Sequence, residues 1–129
     1  MRKYGKIIIP YGVFPEKYEM ETANFFAGLG KDVEFVEPSS IKGLKSPDIQ
    51  MDGVIWEIKS PCGKSKQTIE KLYKKASAQS ENIIFDLRHT RIDEYIVILK
   101  IKREFSMRKN KVRRLIIITK SLNVLDLSK

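Results

Sequence analysis

The sequence predicts a mixed α/β (α+β) protein, a central sheet flanked by helices in the order α-β-β-β-α-β-α-β-β. Three observations predict it. Short β-branched runs recur between segments of helical periodicity. An Asp-Gly pair separates two alternating apolar runs, the signature of a tight hairpin. The 129 residues suffice for one domain with its own core, spanning 1–129, with 1–14 as an N-terminal extension and 16–127 as the core.

Ile7-Ile8-Ile9 is a brief β-branched run closed by Pro10 and Gly12. From Glu16 to Leu29 the pattern is helical: Ala23, Phe26 and Ala27 share a face, and Gly30 stands where a helix stops. Val33 and Phe35 suggest a short strand, and the Pro- and Ser-containing stretch 37–47 reads as a loop. Asp52-Gly53 then turns one strand into the next, ending near Ser60 before Pro61-Cys62-Gly63. A helix is expected from about Ser65 to Ser80, with Ile69, Leu72, Tyr73 and Ala76 inward. Asn82–Leu87 reads as a strand, and 91–107 as a helix with Tyr95, Ile98, Leu99, Lys102 and Phe105 in register, with a strand at Ile96-Val97-Ile98 as the alternative. Leu115–Ile118 is a buried strand, and Leu122–Leu127 alternates as an edge strand.

Composition narrows the function. Lys plus Arg is 25 and Asp plus Glu is 16, a formal net charge of +9. The charge suits a polyanionic partner. One cysteine, Cys62, and one histidine, His89, exclude an internal disulfide, a multi-cysteine zinc site and a two-histidine metal site. No apolar run reaches the length of a membrane span, so membrane integration is not expected.

The hairpin carries the chemistry. A two-residue loop at Asp52-Gly53 pairs Met51 with Val54, Gln50 with Ile55, Ile49 with Trp56 and Asp48 with Glu57. Period-two alternation puts Val54, Trp56 and Ile58 on one face and Glu57 and Lys59 on the other, beside Asp48. Opposed side chains have Cβ atoms about 4.5–5.5 Å apart, and like charges there are destabilising. A divalent cation would offset the repulsion, and a carboxylate pair suits Mg²⁺ or Mn²⁺ better than Zn²⁺. Lys59 on the same face could stabilise charge developing on a phosphate. Those parts suffice for metal-assisted phosphodiester hydrolysis. The alternative is an exposed sheet face on which Lys59 neutralises Asp48 and Glu57. A second class of function, a basic module that binds nucleic acid without cutting it, needs only the net charge.

Pro47-Asp48 followed by Glu57-Ile58-Lys59 resembles the PD-(D/E)xK nuclease signature. Members often carry a further acid on the first helix, and Glu19, eleven residues before Gly30, fits that place better than Glu21 or Glu16. A wider set is similar to the C-terminal tRNA-nuclease domain of CdiA-type contact-dependent growth-inhibition toxins. It comprises Ser46-Pro47-Asp48, Trp56 through Pro61, Gly63-Lys64-Ser65, Thr68-Ile69, Ala76, Gln79-Ser80, Asn82-Ile83-Ile84 and Asp86-Leu87-Arg88. The resemblance implies a metal-dependent endonuclease acting on tRNA, with DNA as the alternative substrate. It implies Asp48, Glu57 and Glu19 as metal ligands and Lys59 as a catalytic residue. It further implies a cognate immunity protein, delivery by a secreted toxin and action in the bacterial cytoplasm. The chain starts at Met1 without the long delivery region of such toxins, which suggests an excised domain or a free-standing relative.

Further candidates for nucleic-acid contact are Lys64, Ser65 and Lys66 at a helix start, Arg88, and Arg108, Lys109 and Lys111. The last three lie in a stretch, Lys100–Arg114, with eight basic residues and one acid. Each has a plain alternative: Ser65 as a helix cap, Arg88 as a partner of Asp86, the basic stretch as solvated surface or a dock for an acidic immunity protein. Trp56 reads as core. Tyr11, Phe14 and Tyr18 are read as core or partner contacts ahead of base-stacking groups.

Overall fold

The computed structural model describes residues 3–37, 47–62, 67–107 and 110–129. Lys64, Ser65, Lys66, Arg108 and Lys109 lie outside the described residues. The protein has the mixed α+β fold that its sequence predicts. It divides into two compact units, Met1–Ile58 and Lys59–Lys129.

In the first unit β1 (Ile7–Ile8) precedes α1 (Lys17–Gly28), which leads into β2 (Val33–Phe35). β1 pairs parallel with β2, so the N-terminal extension contributes a strand that the predicted order lacks. Two residues are too few for a period to declare itself. Gly5 allows the close fit that holds this strand in place. Its N–H donates to the Ala27 carbonyl at 2.8 Å, and a Cβ there would lie 1.7 Å from the Lys31 carbonyl oxygen. α1 ends in a Schellman motif: Lys31 N–H reaches the Phe26 carbonyl, Gly30 N–H reaches that of Ala27, and Gly30 takes φ +91°. Its inward face is Thr22, Ala23, Phe26 and Ala27.

β3 (Ile49–Met51) and β4 (Val54–Lys59) form the expected hairpin. Asp52 (φ 55°) and Gly53 (φ 73°) are both left-handed, which defines a type I′ turn. The register is Met51 to Val54, Gln50 to Ile55 and Ile49 to Trp56. β2 joins β3 antiparallel. Trp56 is buried, and its Nε1 donates to the Met51 carbonyl at 3.2 Å, so it belongs to the core as expected.

The second unit holds α2 (Gln67–Gln79), β5 (Asn82–Asp86), α3 (Glu94–Ser106), β6 (Arg114–Ile118) and β7 (Val124–Ser128). β5 and β6 are parallel across α3, and β7 adds antiparallel to β6. Ile69, Tyr73 and Ala76 of α2 pack with Ile83, Phe85, Leu115 and Ile117 of the strands. The inward face of α3 is Val97, Ile101 and Phe105, whereas Tyr95 and Leu99 are exposed. Of the expected positions, Phe105 and the partly buried Ile98 join the core, and Tyr95 and Leu99 do not. Residues 95–99 are apolar at five successive positions, and the i, i+4, i+8 row from Val97 supplies the packing.

Candidate active site

Glu19, Asp48 and Glu57 come together within the first unit. α1 carries Glu19 in its first turn, where its Oε1 accepts the backbone N–H of Glu16 at 2.7 Å. That bond caps the helix and fixes the side chain near its N-terminus. Glu57 sits in β4 and is buried, 3% exposed, an unusual state for a carboxylate.

Asp48 precedes β3, and its placement corrects the expected direct pairing with Glu57. The ladder pairing ends at Ile49 and Trp56, and the Asp48 N–H donates to the Trp56 carbonyl at 3.0 Å. The strand thus takes a bulge-like step at Asp48 in place of a flat pairing with Glu57. In compensation, Asp48 Oδ2 accepts the Ile58 N–H at 2.7 Å, so a side chain replaces a ladder carbonyl. The Asp48 carboxyl hydrogen-bonds with those of both Glu19 and Glu57. Burial, reinforced by the Glu57 charge, raises its pKa above the usual carboxylate range, against the opposing bonds from Glu19 and Ile58.

Carboxyls gathered this closely repel one another when ionised, a repulsion that a proton or a cation offsets. Three carboxylates are the hard oxygen donors that Mg²⁺ and Mn²⁺ prefer, so the donor set fits such an ion by type, but among the described residues no three His, Cys, Asp or Glu side chains are placed so that they could hold one. Lys59 closes β4, partly exposed, two residues beyond Glu57 and so on its side of the strand.

Tyr18 borders the trio. It is 36% exposed, and burial followed by the charges of Glu19, Asp48, Glu57 and Glu16 pushes its phenol well above its ordinary pKa. Phe14 (89%) and Tyr11 (105%) are fully exposed, which removes the core reading for both. No hydrophobic period reveals this, because all three aromatics precede or open the helix.

The other candidates fall in the second unit. Arg88 grips the buried Asp86, with Nη2 to Oδ2 at 2.6 Å and Nε to Oδ1 at 2.9 Å. Of the basic stretch, Lys100 pairs with Glu70, Arg113 with Glu81 and Arg114 with Asp126. Lys111 and Arg113 line a hollow with Asn110 and Lys129. Cys62 is an exposed free thiol. No helix among the described residues is long and apolar enough to cross a membrane.

Fold and centre together define a basic α+β protein organised around a carboxylate trio. The model of the contact-dependent growth inhibition CdiA C-terminal domain matches residues 45–124, which include Asp48, Glu57 and Lys59 but not Glu19. The chain belongs to this family. Among solved structures it is similar in fold to the "CdiA-CT/CdiI toxin and immunity complex from Burkholderia pseudomallei". That likeness has 18% identity and a TM-score of 0.69, and covers 97% of this chain and 100% of that chain. No curated protein matches the chain.

Proposed function

We propose that the chain is a metal-dependent endonuclease of the PD-(D/E)xK kind, a growth-inhibition toxin domain or stand-alone relative whose substrate is tRNA. The observation that carries this reading is the trio itself: three carboxyls drawn together, with Asp48 anchored on the Ile58 N–H and Glu19 on the Glu16 N–H. Folding does not gather like charges without compensation. Membership in the CdiA C-terminal family and the +9 charge support the same reading.

Glu19, Asp48 and Glu57 would hold Mg²⁺ or Mn²⁺. Bound there, the cation supplies Lewis acidity toward a phosphate oxygen and lowers the pKa of water. The chain's own residues do the rest. The backbone anchors keep two of the carboxyls from following the substrate as it moves. Burial of Glu57 keeps bulk water from competing for its oxygens. The Lys59 ammonium donates to the non-bridging phosphate oxygens as charge grows on them. Lys111 and the other exposed cations attract the polyanion over a longer range.

An immunity protein is part of the proposal, because the similar solved structure is a toxin and immunity complex. Delivery by a secreted toxin and action in the target cytoplasm belong to the same proposal, which membership in the family supports. A non-catalytic binding module is the second reading, favoured by the net charge alone. Incubation with total tRNA and with plasmid DNA, in Mg²⁺, in Mn²⁺ and with EDTA, separates them. End-labelled tRNA fragments that disappear with EDTA support the nuclease. Salt-sensitive binding with no cleavage in any metal supports the module.

A further inference from the structure

Tyr11 and Phe14 stand out in water and Tyr18 is about one-third exposed, all within eight residues. Exposed aromatics concentrated in so short a segment point to a contact surface. The segment that bears it is ordered by the fold. Pro10-Tyr11-Gly12-Val13 is a tight turn closed by the Val13 N–H on the Pro10 carbonyl at 3.1 Å, with Gly12 at φ +83°. Tyr11 occupies its tip. Phe14 lies two residues before the α1 cap at Glu16, at most about 14 Å along the chain from Tyr18. Tyr18 in turn lies within the electrostatic field of Glu19, Asp48 and Glu57. Tyr18 therefore adjoins the carboxylate trio, with Phe14 four residues before it in the chain and Tyr11 seven.

We propose that Tyr11, Phe14 and Tyr18 form a stacking platform for unpaired bases, which makes single-stranded or looped-out nucleotides, not continuous duplex, the substrate class of the carboxylate centre. This inference rests on the nuclease reading for its link to cleavage, but not for its binding step. Stacked rings alternating with cations are the usual means of holding a flexible strand, because every base offers a π-face and every linkage a charge. Acids stand beside the rings, since Glu16, Glu19, Asp48 and Glu57 all act on Tyr18, and the attraction for a polyanion comes from the net charge of +9 that the whole chain carries. A duplex keeps its bases stacked on one another and offers these rings nothing to cover.

The test is binding, measured in EDTA so that cleavage plays no part. Fluorescently labelled single-stranded RNA and a blunt-ended RNA duplex of matched length are titrated against the full chain. Tyr11→Ala and Phe14→Ala should each weaken single-strand binding by about 5- to 150-fold, the range for a lost base stack, and barely change duplex binding. Tyr11→Phe should restore binding, and Tyr11→Leu, apolar but without a π-face, should not. Equal loss on both ligands, rescue by Leu, or unchanged single-strand binding would each overturn the platform, the last two pointing to a protein partner on these rings. Failure of the nuclease reading looks different: wild type then binds single strands through the platform but leaves no fragments in any metal.

Discussion

Asp48 does two jobs that one pair of substitutions separates. Its Oδ2 accepts the Ile58 N–H at 2.7 Å, and its charge lies against Glu57 and Glu19. Asp48→Ala removes both. Ile58 is fully buried, so stranding its N–H costs about 1–3 kcal/mol, partly offset by relief of the repulsion. Asp48→Asn keeps an acceptor oxygen and removes only the charge. With chelator at pH 8, urea unfolding should therefore rank Asp48→Asn at or above wild type and Asp48→Ala below both. The pH dependence follows from the raised pKa. The unfolded chain releases the Asp48 proton near 3.8, while the folded chain holds it to a higher pH. Between those values the native state binds more protons, so the contribution is fully present below 3.8 and is lost as pH rises through the folded value. The advantage of Asp48→Asn should accordingly shrink on acidification. Saturating Mn²⁺ should reverse the order at pH 8, since a ligand at a hundred times its Kd adds about 2.7 kcal/mol to the state that binds it. Refutation would be an Asp48→Asn protein as unstable as Asp48→Ala, or a wild type indifferent to pH and to Mn²⁺ alike.

Other outcomes follow from the same geometry. Gly5→Ala pushes a Cβ into the Lys31 carbonyl and should cost about 1–3 kcal/mol or more, read as a lowered thermal midpoint. Gly53→Ala imposes a left-handed alanine on the hairpin turn and should cost about 1–2 kcal/mol. Arg88→Ala deprives the buried Asp86 of its two-pronged partner and should cost about 3–5 kcal/mol, so any loss of activity in that variant must be judged against its melting curve.

Much of this was legible because local chemistry determined it. Asp52-Gly53 admits a type I′ turn, the turn sets the register, and the register runs the ladder to Ile49 and Trp56, which leaves Asp48 and Glu57 next along the two strands. Gly30 likewise marks the end of α1, since few residues tolerate φ +91°. What stayed hidden depends on packing between distant segments. The bulge at Asp48 arises from a side chain taking over a ladder bond, which no period records. Glu19 is preferred over Glu21 by its spacing to Gly30, but its interaction with Asp48 joins α1 to the hairpin, a contact between distant segments that spacing does not record. The exposure of Tyr11 and Phe14 runs against the ordinary preference of aromatics for the interior, and the inward face of α3 is masked by five apolar residues in succession.

The claim on which the account turns is that the carboxylate trio and Lys59 break phosphodiester bonds. Single-turnover cleavage of total tRNA in Mg²⁺ by wild type, Glu57→Gln and Lys59→Ala tests it most directly, with circular dichroism to confirm folding. Folded variants slower by about 10²–10³-fold are the predicted result. Fragments released at the wild-type rate by both folded variants would contradict it.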